Sequence, residues 1–163
     1  MGLFSGVGQA KVTQGGIYFE PGNYLVEIQR VCAIRSQKDR KDYFIVEAKI
    51  LESDCPTRKP GTVASQAIDI SNVMGPVNIK AFLAAAMGID PADQDAVEEA
   101  LGVELDARGK VAKDKGEEAA EYATSEENPL EGLKLRLNCA EIRTQKGNPF
   151  TKHNWRPLEE AAA

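Results

Sequence analysis

Tyr24-Leu-Val-Glu-Ile-Gln-Arg-Val-Cys-Ala-Ile-Arg35 alternates apolar and polar side chains with a period of two. Tyr24, Val26, Ile28, Cys32 and Ile34 fall on one side, Glu27, Gln29 and Arg35 on the other, and Arg30 interrupts the apolar side. Successive side chains of a strand point to opposite faces, so this pattern predicts a half-buried β-strand. The polar connection 36–42 leads into a second run, where Phe44, Val46, Ala48 and Ile50 oppose Tyr43, Glu47 and Lys49. Two long strands around a short polar loop predict an antiparallel hairpin. Beyond a loop containing Cys55-Pro56 and Pro60-Gly61, residues 62–70 predict a third strand with Ala64, Ile68 and Ile70 inward and Gln66 as an awkward exception.

The period then changes. Gly75-Pro76 suits the start of a helix, Ile79, Phe82, Leu83 and Ala86 follow at i, i+3, i+4 and i+7, and Gly88 supplies a stop. Asp90-Pro91 predicts the cap of a second helix with Val97, Ala100 and Leu101 as its stripe. Residues 106–131 are charged and poor in bulky apolar side chains, running through Lys110, Lys113 and Lys115 into Glu117, Glu118, Glu121, Glu126 and Glu127. They read as a flexible surface insertion, partly helical around Ala119 and Ala120. Strand periodicity returns with Leu133, Leu135, Leu137 and Cys139 against Lys134, Arg136 and Asn138. A turn cluster at 144–149 precedes a last strand over 150–158, where Pro157 points to a position near an edge.

The predicted class is therefore α+β and mainly β. Three strands, a helix and a two-stranded hairpin form the element order of a five-stranded oligonucleotide/oligosaccharide-binding (OB) barrel, with the helix plugging one end. The competing architecture is a five-stranded sheet with a loose helix on one face. The division expected is an N-terminal arm 1–22, one domain 23–158 carrying a helical and charged insertion 89–131, and a tail 159–163.

At 163 residues with 42% apolar and 28% charged side chains, the chain has the makeup of one globular domain. Its net charge of −5 offers no general attraction to a polyanion, so a nucleic-acid site has to come from local concentration of Lys and Arg. Cys32, Cys55 and Cys139 are odd in number and far apart, and no pair has the short spacing of a structural zinc site with the single His153. They read as small buried thiols in a reducing compartment. The apolar run 81–87 is too short to cross a bilayer, and Met1-Gly-Leu-Phe-Ser-Gly6 has neither a secretory signal nor the Ser or Thr of a myristoylation site. A cytoplasmic protein without cofactor or metal is expected. The chain carries no nucleophile elbow, zinc-protease helix or phosphate-binding loop, so no enzyme is expected.

Two stretches combine cations with aromatics, the makeup that suits a charged backbone with flat bases. One is Arg35, Lys38, Arg40, Lys41 and Tyr43, with Lys49 on the same outward side as Tyr43. The other is Arg143, Lys146, Phe150, Lys152, His153, Trp155 and Arg156. The first and last loops of an OB barrel flank one binding face, so the two stretches are expected to converge. The cations would then neutralise phosphates while Tyr43, Phe150 and Trp155 stack on bases. Phe44 reads as core, His153 as a polar strand residue, and Trp155 also fits a core residue with its indole N–H bonded.

Several phrases carry a family likeness. Met1-Gly-Leu-Phe4, Tyr18-Phe-Glu-Pro-Gly-Asn-Tyr-Leu-Val-Glu-Ile28 and Asp42-Tyr-Phe-Ile-Val-Glu-Ala-Lys-Ile-Leu-Glu-Ser53 resemble a group of small bacteriophage proteins. So do Asn78-Ile-Lys-Ala-Phe-Leu-Ala-Ala-Ala-Met-Gly88 and Lys146-Gly-Asn-Pro-Phe-Thr151 through Trp155. The resemblance, which covers most of the chain outside 106–131, implies an OB-fold single-stranded DNA-binding protein acting in phage DNA replication and recombination. Single-stranded DNA is then the expected partner. Replication or recombination proteins and a second copy of the chain are further candidates, and no membrane is expected. Many such proteins end in a strongly acidic tail that recruits partners, whereas this chain ends Leu158-Glu-Glu-Ala-Ala-Ala163. The internal acidic stretch 117–131 is the alternative recruiting element. The rival reading is a phage structural or protein-interaction protein that uses the barrel for protein contacts.

Overall fold

A computed structural model describes residues 17–143 and 146–158. Five antiparallel strands form the main sheet: β1 (Gly22–Arg35), β2 (Asp42–Ser53), β3 (Val63–Asp69), β6 (Lys134–Arg143) and β7 (Pro149–Pro157), in the order β3-β2-β1-β6-β7. Between β3 and β6 lie helix α1 (Gly75–Ala86), helix α2 (Gln94–Leu101), the small hairpin of β4 (Val103–Leu105) and β5 (Val111–Asp114), and helix α3 (Lys115–Ala123). The α+β class and the helix between the third strand and the final hairpin agree with the sequence.

The sheet is not closed into a barrel. Among the described residues β3 and β7 are both edges, and no backbone ladder joins them. Part of β3's outer edge is already taken, because Ser65 donates its N–H to the Ile17 carbonyl (2.8 Å) and pairs in parallel with Tyr18. Pro149 and Pro157 leave β7 without a donor at either end. The two edges meet through side chains instead: Trp155 Nε1 donates to Gln66 Oε1 at 2.8 Å, both residues being buried. That bond accounts for Gln66, the polar residue that broke the apolar side of β3. α1 lies over the same region, where Phe82 stands edge-on to Trp155 (ring centroids 5.0 Å apart) and to Phe44 (6.0 Å).

A bulge explains the other irregularity. The β1–β2 register slips between Ile28 and Arg30, and one extra residue reverses which face each later side chain occupies. Tyr24, Val26 and Ile28 point into the core before the slip, and Val31 does so after it. Cys32 and Ile34 therefore share the outward side with Arg30, rather than the core side assigned to them by strict alternation. Asn128, at the end of the acidic stretch, patches the irregularity: its Nδ2 donates to the Gln29 carbonyl (2.8 Å) and its Oδ1 accepts from the Val31 N–H (3.3 Å).

The stretch 106–131 is consequently folded, not a loose excursion. Asp114 caps α3 by accepting from the Glu117 N–H (2.9 Å), and Ala123 is buried against the core that Val97 and Leu101 of α2 also join. The second helix begins later than Asp90-Pro91 predicts. Asp90 and Asp93 form a turn, and Asp93 is the cap, accepting from the Ala96 N–H (3.2 Å). The helix over Gly75–Ala86 is as expected, with Ile79, Phe82 and Leu83 buried. Gly75 is required at its start, since a Cβ there would lie 2.3 Å from the Asp69 carbonyl oxygen, and Gly88 follows its end at φ 82°, a conformation that glycine adopts without strain. Ile70, predicted inward, is exposed just beyond β3.

Residues 1–16 and 159–163 lie outside the described residues, so only residues 17–22 of the expected arm, and none of the expected tail, are described. Phe19, within the predicted arm, is a core residue 5.2 Å from the Tyr24 ring. The domain therefore starts before residue 22. All three cysteines are buried and free, as expected, and burial pushes the Cys139 thiol up to about 12.

Candidate nucleic-acid interface

β6 and β7 form a long hairpin whose two faces differ chemically. Leu135, Leu137 and Cys139 of β6 and Trp155 of β7 are buried inward. Outward, the register sets Arg136 opposite Arg156, Asn138 opposite Asn154, Ala140 opposite Lys152 and Ile142 opposite Phe150. β1 pairs with β6 only from Glu27↔Lys134 to Gly22↔Cys139. The distal part, with Arg143, Lys146, Phe150 and Lys152, thus projects beyond β1 as a two-stranded ribbon. Phe150 is 48% exposed and Ile142 42%, side by side at its end. Between residues 134 and 158 the chain carries six Lys or Arg against the single carboxylate of Glu141. In a chain of net charge −5, this hairpin is a positive pole.

Trp155 lies in the core and not on the outward face. It is 2% exposed, packed edge-on against Phe82 and Phe19, and bonded to Gln66. An inward position on β7 leaves no face of the indole open, so the core alternative holds. The outward neighbours Lys152 and Arg156 and the terminal Phe150 keep their exposure.

The two basic-aromatic stretches lie at opposite ends of β1. Loop 36–41 follows its C-terminal end, whereas the β6–β7 turn extends beyond its N-terminal end. A strand advances about 3.3 Å per residue, so the 14 residues of β1 separate them along the chain by several tens of ångströms. The expected convergence at a shared loop cluster does not follow from this register.

Two cations and the tyrosine of the first stretch are also engaged. Arg35 pairs with Asp42 (3.3 Å), Lys41 pairs with Asp69 (3.3 Å), and Tyr43 donates its hydroxyl to Asp39 Oδ2 at 2.7 Å. The Asp39 hydrogen bond, with burial, raises the Tyr43 phenol to about 12. Lys38, Arg40 and Lys49 are exposed. In the second stretch Arg156 pairs with Asp90 (3.0 Å) and Arg143 donates to the Gly147 carbonyl (3.0 Å), while Lys146 and Lys152 are exposed.

Lys134 and Arg136 join this outward face, although the sequence reading left them out of the site. Their signal was present, because they alternate with Leu133, Leu135 and Leu137. Tyr18, 50% exposed beside Ser65, and Arg30, turned outward by the bulge, had no such signal.

His153 sits inward on β7 with its ring edge-on to Phe19 at 6.1 Å, and its Nε2 is buried without a hydrogen-bond partner among the described residues. Burial lowers its pKa to about 4, with a hydrogen bond to the Thr151 backbone opposing weakly. In the unfolded chain the imidazole takes up its proton near pH 6.5. Stability is thus fully present above pH ~6.5, declines as the pH falls toward 4, and loses about 3 kcal/mol over that window. Urea unfolding at pH 7, 5.5 and 4.5 should show this decline, and His153→Phe should flatten it. An equal slope in the variant would assign the loss to other groups. Asp39, Asp54 and Asp69, held below the ordinary carboxylate range by their hydrogen bonds, act at lower pH.

No family model matches the chain, and no curated protein matches it significantly. Among the described residues no helix is long and apolar enough to cross a membrane.

Proposed function

We propose that this protein binds single-stranded DNA without catalysis and largely without sequence preference, using the outward face of the β6–β7 hairpin. The observation that carries the reading is that Lys134, Arg136, Lys152 and Arg156 share the outward face of one hairpin, whose projecting end adds Arg143, Lys146 and the exposed Phe150. Cations track a phosphate backbone, and an exposed ring stacks on any base. The strand order β3-β2-β1-β6-β7 supports the finer fold reading, since an OB barrel opened between its third and fifth strands has that order. The bacteriophage family likeness supports a role in phage DNA replication and recombination, in the host cytoplasm.

Fluorescence anisotropy of a labelled mixed-sequence 30-nucleotide strand, at two salt concentrations and against a duplex competitor, tests the reading. Affinity should fall with salt at a slope of about −0.7 per phosphate neutralised. Phe150→Ala should weaken binding about tenfold, since stacking contributes roughly 1–3 kcal/mol per base, and should leave the salt slope unchanged. Absence of binding at low salt would refute the reading. It would favour the rival, a protein-interaction role, for which the exposed Val103, Leu105 and Val111 of the β4–β5 hairpin offer an apolar surface.

A further inference from the structure

The outward face of the sheet carries a groove of about 500 Å³ where β1, β6 and β7 meet the end of β2, within the ~300–1,000 Å³ common for small-molecule sites. One row across it runs Glu52, Leu25, Arg136 and Arg156, on β2, β1, β6 and β7 in turn. The row is bipolar, with a carboxylate at one end and two guanidinium groups at the other. Arg136 and Arg156 are direct cross-strand neighbours, an arrangement that costs stability unless an anion lies between them. Asp90 neutralises Arg156, whereas Arg136 and Glu52 have no hydrogen bond or ion pair among the described residues.

The next row is a chain of amides with a fixed direction. Asp54 accepts from the Asn23 backbone N–H (2.7 Å) and from Asn23 Nδ2 (2.9 Å). A carboxylate can only accept here, so Asn23 must turn its oxygen away from Asp54. That oxygen accepts from Asn138 Nδ2 (2.8 Å), and Asn138 Oδ1 accepts from Asn154 Nδ2 (3.2 Å). The chain ends on Asn154 Oδ1, an acceptor that no donor fills among the described residues. The groove therefore offers a cation to an anionic group and acceptors to a donor-bearing one. Arg136 and Glu52 flank Leu25 on neighbouring strands, two strand spacings or about 10 Å apart at the backbone.

We propose that this groove seats one nucleotide of the bound strand, its phosphate on Arg136 and the exocyclic amine of its base on the Glu52 carboxylate. Cytosine, adenine and guanine carry such an amine. Thymine has no such amine, and its one ring donor, N3–H, lies between two carbonyl oxygens that a carboxylate repels. The inference rests on the single-stranded DNA reading above and adds a bias at one nucleotide to otherwise sequence-independent binding.

Anisotropy with labelled 15-nucleotide dC and dT strands at two salt concentrations tests it. Wild type should bind dC about fivefold more tightly than dT. Glu52→Ala should bring the ratio near one with the salt slope unchanged. Arg136→Ala should weaken both and lower the slope by about 0.7, and Arg136→Lys should restore that slope. Equal, tight binding of dC and dT by wild type would overturn the groove assignment and leave DNA binding standing. So would a ratio that survives Glu52→Ala, or an unchanged slope in Arg136→Ala. No binding of either strand at low salt would overturn both.

Discussion

Trp155→Ala is expected to cost about 3–5 kcal/mol of folding stability, the range for deleting a large aromatic from a packed core. Domains of this size have roughly 5–15 kcal/mol in all, so the variant should unfold at far lower urea. The side chain is 2% exposed, joins Phe82 and Phe19 in edge-on contact, and ties β7 to β3 through Gln66. Its loss opens a cavity at the place where the two edge strands meet without a backbone ladder. Trp155→Phe refines the test, because it keeps most of the apolar area and leaves Gln66 Oε1 buried without a donor. That orphaned acceptor should cost about 1–3 kcal/mol, as should the unpaired indole N–H left by Gln66→Leu. The double variant Trp155→Phe/Gln66→Leu removes both partners and should be more stable than the sum of the single losses. Strict additivity would show that the bond contributes nothing. A buried indole also means that Trp155 fluorescence follows unfolding rather than stacking on DNA.

On the functional side, the largest effect should come from replacing Lys134, Lys146 and Lys152 together by Ala. All three are exposed on or near the hairpin's outward face. Each phosphate contact contributes about 0.7 to the slope of log affinity against log salt, so the triple variant should flatten it by about 2. Affinity at 50 mM salt should fall by about two orders of magnitude. The control is Lys38→Ala/Arg40→Ala, drawn from the opposite end of β1, and it leaves out Lys49, which shares a row with Glu27 and Lys134. If the hairpin is the interface, the control loses far less. A larger loss in the control would move the site to the β1–β2 end and count against the hairpin. Both sets consist of exposed side chains without ion pairs among the described residues, so their urea midpoints should stay close to wild type.

Local periodicity was enough to recover the strands over Gly22–Arg35, Asp42–Ser53, Val63–Asp69 and Lys134–Arg143 and the helix over Gly75–Ala86, because each depends on which neighbours in the chain share a face. The same signal placed Phe44, Leu135 and Leu137 in the core and Lys134 and Arg136 outside it. Gln66 and Arg30 resisted that reading for different reasons. Gln66 is buried because Trp155, 89 residues away, supplies its donor. Arg30 turns outward because a bulge, stitched by Asn128 from the end of the acidic stretch, shifts the phase of β1.

The positive, aromatic-bearing hairpin was likewise legible in the sequence, since its charges and Phe150 are close together in the chain. Its relation to the β1–β2 loop was not. Register decides that relation, and it puts the two stretches at opposite ends of β1. Composition and alternation thus determined an α+β chain with a five-stranded sheet and a cationic last hairpin. Only the tertiary structure decided that the sheet stays open, that Trp155 belongs to the core, and that Glu52, Asn23 and Arg136 border one groove. Each of these depends on partners far apart in sequence, whose contacts local patterning does not encode.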